Sequence, residues 1–410
     1  MRTRIAVAGV AAASGALLLT ACGPSAPAAK PAAPSASPTH PVFSKPLDAR
    51  PYAALGQTKA AKNATFTQTV TFSAKGADAV LKTTGKLDFA GGRADGSLGW
   101  NVGEGFPEGA AKALGTVDTH RKRNDRPARL VIDRQNVNYR SATVDYWLRY
   151  SGTTPMDADP YGYAVLAANA WRGTQAPFNG TLLEILAATA EVKDEVLPDG
   201  GHRYRTVLVG QSVRDLLKSI VPAGGLADAV NAVRYPLTMT VDRDGRVTSA
   251  ETDVSAAVAK GEQSEIAGVQ GLRIKLTLDG YGTSEPGAVP ATDKVLPAAD
   301  AIVRLRGTKA GACVDFGTGL TDTNLVVKAD CGHPHDGRIL ARPELQDGDY
   351  PGSSAAKKQA NTECTTAFRD APSAWTGEGV DEGSFWYAWP SEDSWKRDSQ
   401  HAATCYILTR

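Results

Sequence analysis

Long apolar runs are scarce in this chain: after residues 5–19 no segment reaches the length a helix needs to cross a bilayer. An excess of either charge is lacking too. Lys and Arg number 45 against 44 Asp and Glu, a formal net charge of +1, so there is no electrostatic footprint for nucleic acid or an acidic polymer. No GxSxG elbow, HExxH helix, P-loop or dinucleotide fingerprint occurs. The sequence therefore offers no catalytic residue and no cofactor site, and the expectation is a protein that is not an enzyme. Asp157 and Asp159 are neighbours only in sequence and read as loop carboxylates. Cysteine is rare, five in 410 residues, and no two form a CxxC pair, which argues against a zinc site.

What is present begins near the start. Arg2 and Arg4 form a positive region, residues 5–19 an apolar one, and Leu19-Thr20-Ala21 leads into Cys22. This resembles the lipobox of bacterial lipoproteins. The resemblance implies a signal peptide over residues 1–21, diacylglyceryl modification of Cys22, and a protein held by lipid at the extracytoplasmic face of the cell membrane. Residues 22–51, rich in Ala, Pro and Ser with Phe43 as their only aromatic, read as a tether that cannot bury a core.

About 360 residues follow, with the overall composition, 42% hydrophobic and 22% charged, of soluble globular protein, enough for two domains. Residues 52–303 read as strand-rich. Alternation marks strands at 69–72, 81–89, 130–139, 146–150, 204–209, 237–241, 247–254 and 272–278, with Gly76 and the run Asp242-Arg243-Asp244-Gly245 at turns. Leu182, Leu183, Ile185 and Leu186, then Val213, Leu216, Leu217 and Ile220, fall at helical spacing. The expected fold class is α+β, a curved antiparallel sheet over a few helices. The run His120-Arg121-Lys122-Arg123, with Arg126 and Arg129, suits contact with an anionic lipid surface.

This order, with the aromatic strand Tyr146-Trp147-Leu148 and the closing Asp279-Gly280-Tyr281-Gly282, resembles the actinobacterial lipid-carrier lipoproteins over most of residues 60–290. Those proteins have a half-open β-barrel related to the bacterial lipoprotein-localisation carriers. The resemblance implies an apolar cavity for acyl chains, with Trp147, Leu182, Leu183, Leu186, Leu216, Leu217 and Ile220 as candidate lining.

Residues 308–410 hold the other four cysteines, Cys313, Cys331, Cys364 and Cys405. In an exported domain they suggest two disulfides. Three pairings are possible, and joining sequence neighbours gives the simplest layout: Cys313 with Cys331 across two strands, Cys364 with Cys405 between a helix and the last strand. His333 and His335 form an HxH pair without a convincing further ligand set, and His335 reads as a structural hydrogen-bonder. Phe385, Tyr387 and Trp389 alternate as core positions, with Trp386 pointing away. The joint order of the cysteines, Pro334-His335, Tyr350-Pro351-Gly352 and Trp389-Pro390 followed by Trp395 resembles the actinobacterial septum-formation domain family over nearly all of residues 311–408. That implies a small disulfide-stabilised α+β module, with envelope or division proteins as partners.

Overall fold

In the computed structural model the described residues are 40–116, 127–158, 182–186, 189–217, 220–316, 325–346, 348–376, 385–398 and 401–409. The first two strands, β1 (Asn63–Ala74) and β2 (Ala77–Asp88), form a twelve-rung hairpin closed by Gly76 at φ 87°. In β1 the residues Ala64, Phe66, Gln68, Val70 and Phe72 are buried, while Thr65, Thr67, Thr69 and Thr71 face outward. That period of two follows from the pleat, and the outward threonines are β-branched residues that favour it. Then come β3 (Arg93–Val102), β4 (Ala128–Asp133), β5 (Asn136–Arg140) and β6 (Trp147–Ser151) as a meander. A second meander holds β7 (Thr189–Val196), β8 (His202–Val209), β9 (Arg234–Val241), β10 (Val247–Asp253) and β11 (Val269–Asp279).

The two meanders join where β1 pairs with β11, and the short β12 (Val295–Pro297) adds to β6 in parallel. The result is one large curved sheet of twelve strands, in the order β12-β6-β5-β4-β3-β2-β1-β11-β10-β9-β8-β7. Among the described residues its two ends do not pair, so it is an open sheet and not a closed barrel. Sequence reading places one strand over 130–139; the structure breaks it into β4 and β5, because Asp133 accepts the backbone N–H groups of Gln135 and Asn136 and turns the chain.

One face of this sheet carries the main core. Helix Gly210–Leu217 buries Val213, Leu216 and Leu217 against β8 and β9, and the 3₁₀ turn Leu182–Ile185 packs on it and on β11. Helix Arg50–Ala60 buries Pro51, Ala54, Leu55 and Thr58, the i, i+3, i+4, i+7 stripe of an amphipathic helix, and packs on β10. Thr58 is the polar member of that stripe. Its hydroxyl donates to Ala54 O at 2.8 Å and accepts the Val247 N–H at 2.8 Å, so the hydroxyl is satisfied in both roles.

The tether read over residues 22–51 is corrected at its C-terminal end. From residue 40 the chain is docked as a strap: 3₁₀ turns Pro41–Ser44 and Leu47–Ala49 lead into the helix at Arg50. Val42 and Phe43 are buried in the main core, Phe43 stacks on His202 with ring centroids 3.9 Å apart, and Arg50 is ion-paired with Asp194. The physical reason is a contact between residues distant in sequence. Two adjacent apolar side chains at the end of a polar, proline-rich stretch suffice to dock it once the sheet presents an imidazole face. Phe43→Ala is therefore expected to destabilise the protein by about 3 kcal/mol, the lower end for a buried phenylalanine, read from the urea midpoint. An unchanged midpoint would mean that the strap does not dock.

The second sheet has the order β13-β15-β14-β16-β18-β17. Its strands are β13 (Ile302–Arg304), β14 (Cys313–Asp315), β15 (Leu325–Ala329), β16 (Gly337–Ala341), β17 (Phe385–Ala388) and β18 (Thr404–Leu408). Helix Ser353–Asp370 lays Ala356, Ala360, Cys364 and Phe368, one residue per turn, over β17 and β18. Disulfides join Cys313 to Cys331 and Cys364 to Cys405, with Cα separations of 5.3 and 5.2 Å. Ile302 and Val303, read from sequence as the end of the first domain, pair with Val327 and Val326 of this sheet. Ile302, Leu325 and Val327 belong to the main core, and Tyr146 donates its hydroxyl to buried Asp315 at 2.8 Å. Both sheets lie within one compact unit that starts at His40.

Candidate functional site

Strand register brings four rows together on the core face, apolar but for Gln68 and Thr83. Leu272, Phe72, Ala79 and Val102 form one row across β11, β1, β2 and β3; Ile274, Val70, Leu81 and Trp100 form the next. Leu276, Gln68, Thr83 and Leu98 follow, then Leu278, Phe66, Gly85 and Gly96, a row that runs on through Leu130, Tyr139 and Leu148. Gly85 keeps the last row flat. A Cβ there would lie 2.1 Å from Asp95 O and 2.9 Å from the Phe66 ring, so no other residue lets that ring lie across the strand.

Burial changes along these rows. On β11 and β1 the apolar side chains are fully covered, whereas Leu81, Leu98, Trp100 and Val102 on β2 and β3 are half-buried while still packing on the core. Trp100 leans on Phe72 with ring centroids 5.8 Å apart. Among the described residues, helix Gly210–Leu217 and turn Leu182–Ile185 rest on β8, β9 and β11, the covered half. The half-buried group therefore forms a contiguous apolar strip beside the covered half.

The candidate lining residues divide. Leu182, Leu183, Leu186, Leu216 and Leu217 are at most 3% exposed and sit in the main core, with half-buried Ile220 against it. Buried Gln68 holds this layer to the sheet, its Oε1 accepting the Leu182 N–H at 2.7 Å. Trp147 is corrected. Leu148 and Tyr150 point into the core, so strand alternation sends Trp147 and Arg149 to the other face. There the Trp147 ring lies beneath the guanidinium groups of Arg129 and Arg140, at 5.8 and 5.0 Å, and its N–H donates to Asp293 at 2.8 Å. It cannot line a cavity with the leucines. Cys22 and the candidate surface contacts Arg121, Lys122, Arg123 and Arg126 lie outside the described residues.

Titratable groups at the margin of the core are held neutral. Burial, and after it the Asp194 charge, pushes the Tyr204 phenol up to about 12; burial raises that of Tyr235, which donates to Val230 O at 3.2 Å. Burial and then Asp242 raise Tyr281, whose hydroxyl donates to Val247 O under the Arg246 guanidinium. Such a face accommodates apolar, uncharged chemistry and presents no acid/base couple along the rows.

In the second sheet Trp395 is buried and Phe385, Tyr387 and Trp389 pack around it and Phe368, while Trp386 is 49% exposed, as alternation along β17 requires. His335 Nδ1 hydrogen-bonds His333 O at 2.7 Å and His333 meets Asp330 at 3.1 Å. Among the described residues no group of three or more His, Cys, Asp or Glu could hold a metal ion.

Sequence reading missed β3, which carries three of the four residues of the apolar strip. Its signal was there: Ala94, Gly96, Leu98, Trp100 and Val102 keep a strict period of two, masked by glycines at 96 and 99 that lower strand propensity. Also missed was β7, whose charges and bulge at Ala190/Lys193 are those of an edge strand.

No family model matches the chain, and no curated protein does. Among solved structures it is similar to the lipoprotein LppX of Mycobacterium tuberculosis, at 13% identity over 58% of this chain and 97% of that one, with a TM-score of 0.31. Similar too are LprF of Mycobacterium bovis, at 10% identity over 59% and 97% with a TM-score of 0.27, and an uncharacterized conserved protein of Thermus thermophilus, at 8% over 60% and 98% with a TM-score of 0.27. Scores at this level place the chain in no family.

Proposed function

We propose that this protein is a non-enzymatic lipoprotein of the cell envelope, anchored at the extracytoplasmic face of the membrane through acylated Cys22, that binds the apolar chain of a lipid on the core face of its large sheet. One observation carries the reading: the half-buried strip Leu81, Leu98, Trp100 and Val102, continuous with the core on one side. Three alternate residues of a strand span about 13 Å at 3.3 Å per residue, a length that fits a segment of an extended acyl chain. Binding of this kind needs no charged group and no metal.

Mass spectrometry of lipids extracted from the purified chain carrying Cys22→Ala tests it. A bound lipid in near-equal amount to protein is expected, and Leu98→Asp, which places a carboxylate in the strip, should abolish retention in protein whose urea transition shows it to be folded. A protein free of lipid, or a Leu98→Asp variant that retains it, would contradict the reading.

The complete burial of the leucine layer favours a second reading, a filled face and a purely structural first sheet that presents the second one to envelope or division proteins. The resemblance of residues 311–408 to the septum-formation family supports that role for the second sheet under either reading.

A further inference from the structure

The strap determines where the chain from Cys22 meets the folded body. His40 and Val42 lie against Gly245 in the β9–β10 turn, where a Cβ would come within 2.6 Å of His40 and 2.8 Å of Val42; the φ of 76° at Gly245 disfavours other residues as well. Phe43 stacks on His202, the first residue of β8. His202 is in register with Val196 on one side and Val241 on the other. The strap, the last residue of β7 and the β9–β10 turn therefore share one end of the large sheet.

That end also gathers exposed apolar side chains. Leu47 is 39% exposed, Tyr52 71% and Val196 69%, which makes three of the six large exposed apolar residues among those described. Connectivity holds them near one another. The turn Leu47–Ala49 packs on β7, Arg50 is ion-paired with Asp194 two positions before Val196, and Tyr52 lies in the first turn of helix Arg50–Ala60. Exposed Lys45 stands in the same stretch, with Asp48 as its nearest acidic neighbour in sequence.

A scattered exposed leucine or tyrosine needs no explanation. These three stand where the chain leads to the proposed anchor: residues 23–39 separate Cys22 from His40, a spacer of about 50 Å when proline-rich chain is extended at ~3.1 Å per residue and shorter when it coils. Tyrosine, aliphatic side chains and a flanking lysine are the residue types that partition into the head-group layer of a bilayer.

We infer that this corner of the protein, Leu47, Tyr52 and Val196 beside Lys45, seats on the surface of the membrane. The seating rests on the acylated Cys22 proposed above and goes beyond it, because a tether alone leaves the body free to tumble. Seated, the β7–β10 end of the sheet faces the lipid.

Hydroxyl-radical footprinting of the full acylated chain on vesicles of phosphatidylglycerol and phosphatidylethanolamine tests this, with the released Cys22→Ala chain as the free reference. Leu47, Tyr52 and Val196 should react severalfold more slowly on vesicles, while Met156, 93% exposed, reacts equally in both and serves as the internal standard. A chain that floats with the vesicles but shows Tyr52 reacting at its free rate overturns the seating and leaves the anchor intact. A chain that does not float contradicts the anchor, and the seating falls with it.

Discussion

Replacing Cys364 and Cys405 together with alanine is expected to lower the stability of the second sheet and its helix by about 4 kcal/mol, the chain-entropy value for a closed loop of this length. The bond spans 41 residues and ties helix Ser353–Asp370 to β18. Both sulfurs are fully buried among Leu340, Phe368, Trp395 and Ile407. That cluster is small, and a small core depends on its staples. The Cys313–Cys331 bond spans only 18 residues, and Cys331 is exposed. Its loss should cost about 3 kcal/mol by the same relation. A water-soluble reductant should also reach it first, leaving Cys364–Cys405 intact until the module unfolds. Non-reducing peptide mapping over a reduction time course, combined with urea unfolding of the Cys364→Ala/Cys405→Ala variant, reads both effects. Reduction of the two bonds at one rate, or a stability loss well under about 1 kcal/mol, would count against this account.

Cys22→Ala should move the protein from the membrane fraction to the medium almost completely. Two acyl chains make a stable anchor where a single one gives only marginal binding, and their loss leaves little to replace them. Among the described residues no helix is long and apolar enough to cross a membrane. The corner around Tyr52 offers three exposed apolar side chains, sufficient to orient a tethered body but far short of what two acyl chains contribute. Fractionation with a high-salt wash separates the outcomes. Retention of the variant on washed membranes would rule out acylation as the anchor.

The two expectations rest on different kinds of information. The lipoprotein signal proposed for residues 1–22 is linear, a cysteine after small residues and an apolar run, and needs no fold to be read. The alternation in β1, the turn at Asp242-Arg243-Asp244-Gly245 and the stripe Val213, Leu216 and Leu217 are local as well. A pleat repeats every two residues and a helix every 3.6 whatever surrounds them, and the structure holds strands, a turn and a helix at those places. The class of the fold, a sheet covered on one face by a few helices, was legible for that reason.

What the sequence by itself determined was thus the arrangement along the chain: a cysteine after an apolar run near the start, apolar periodicity, and four further cysteines confined to the last quarter. Only the tertiary structure decided which faces meet. Trp147 and Leu148 are adjacent and both buried, yet pleating puts one under two arginines and the other in the core, a choice settled by where Arg129 and Arg140 fall in register. Phe43 belongs to a stretch whose composition reads as solvated tether. It is buried because His202, 159 positions away, presents a ring to it. The strip on β2 and β3 is likewise a product of register, since Leu81 and Trp100 become neighbours only when β2 and β3 pair. Burial depends on contacts between residues distant in sequence, and local periodicity carries no information about which distant strand supplies them.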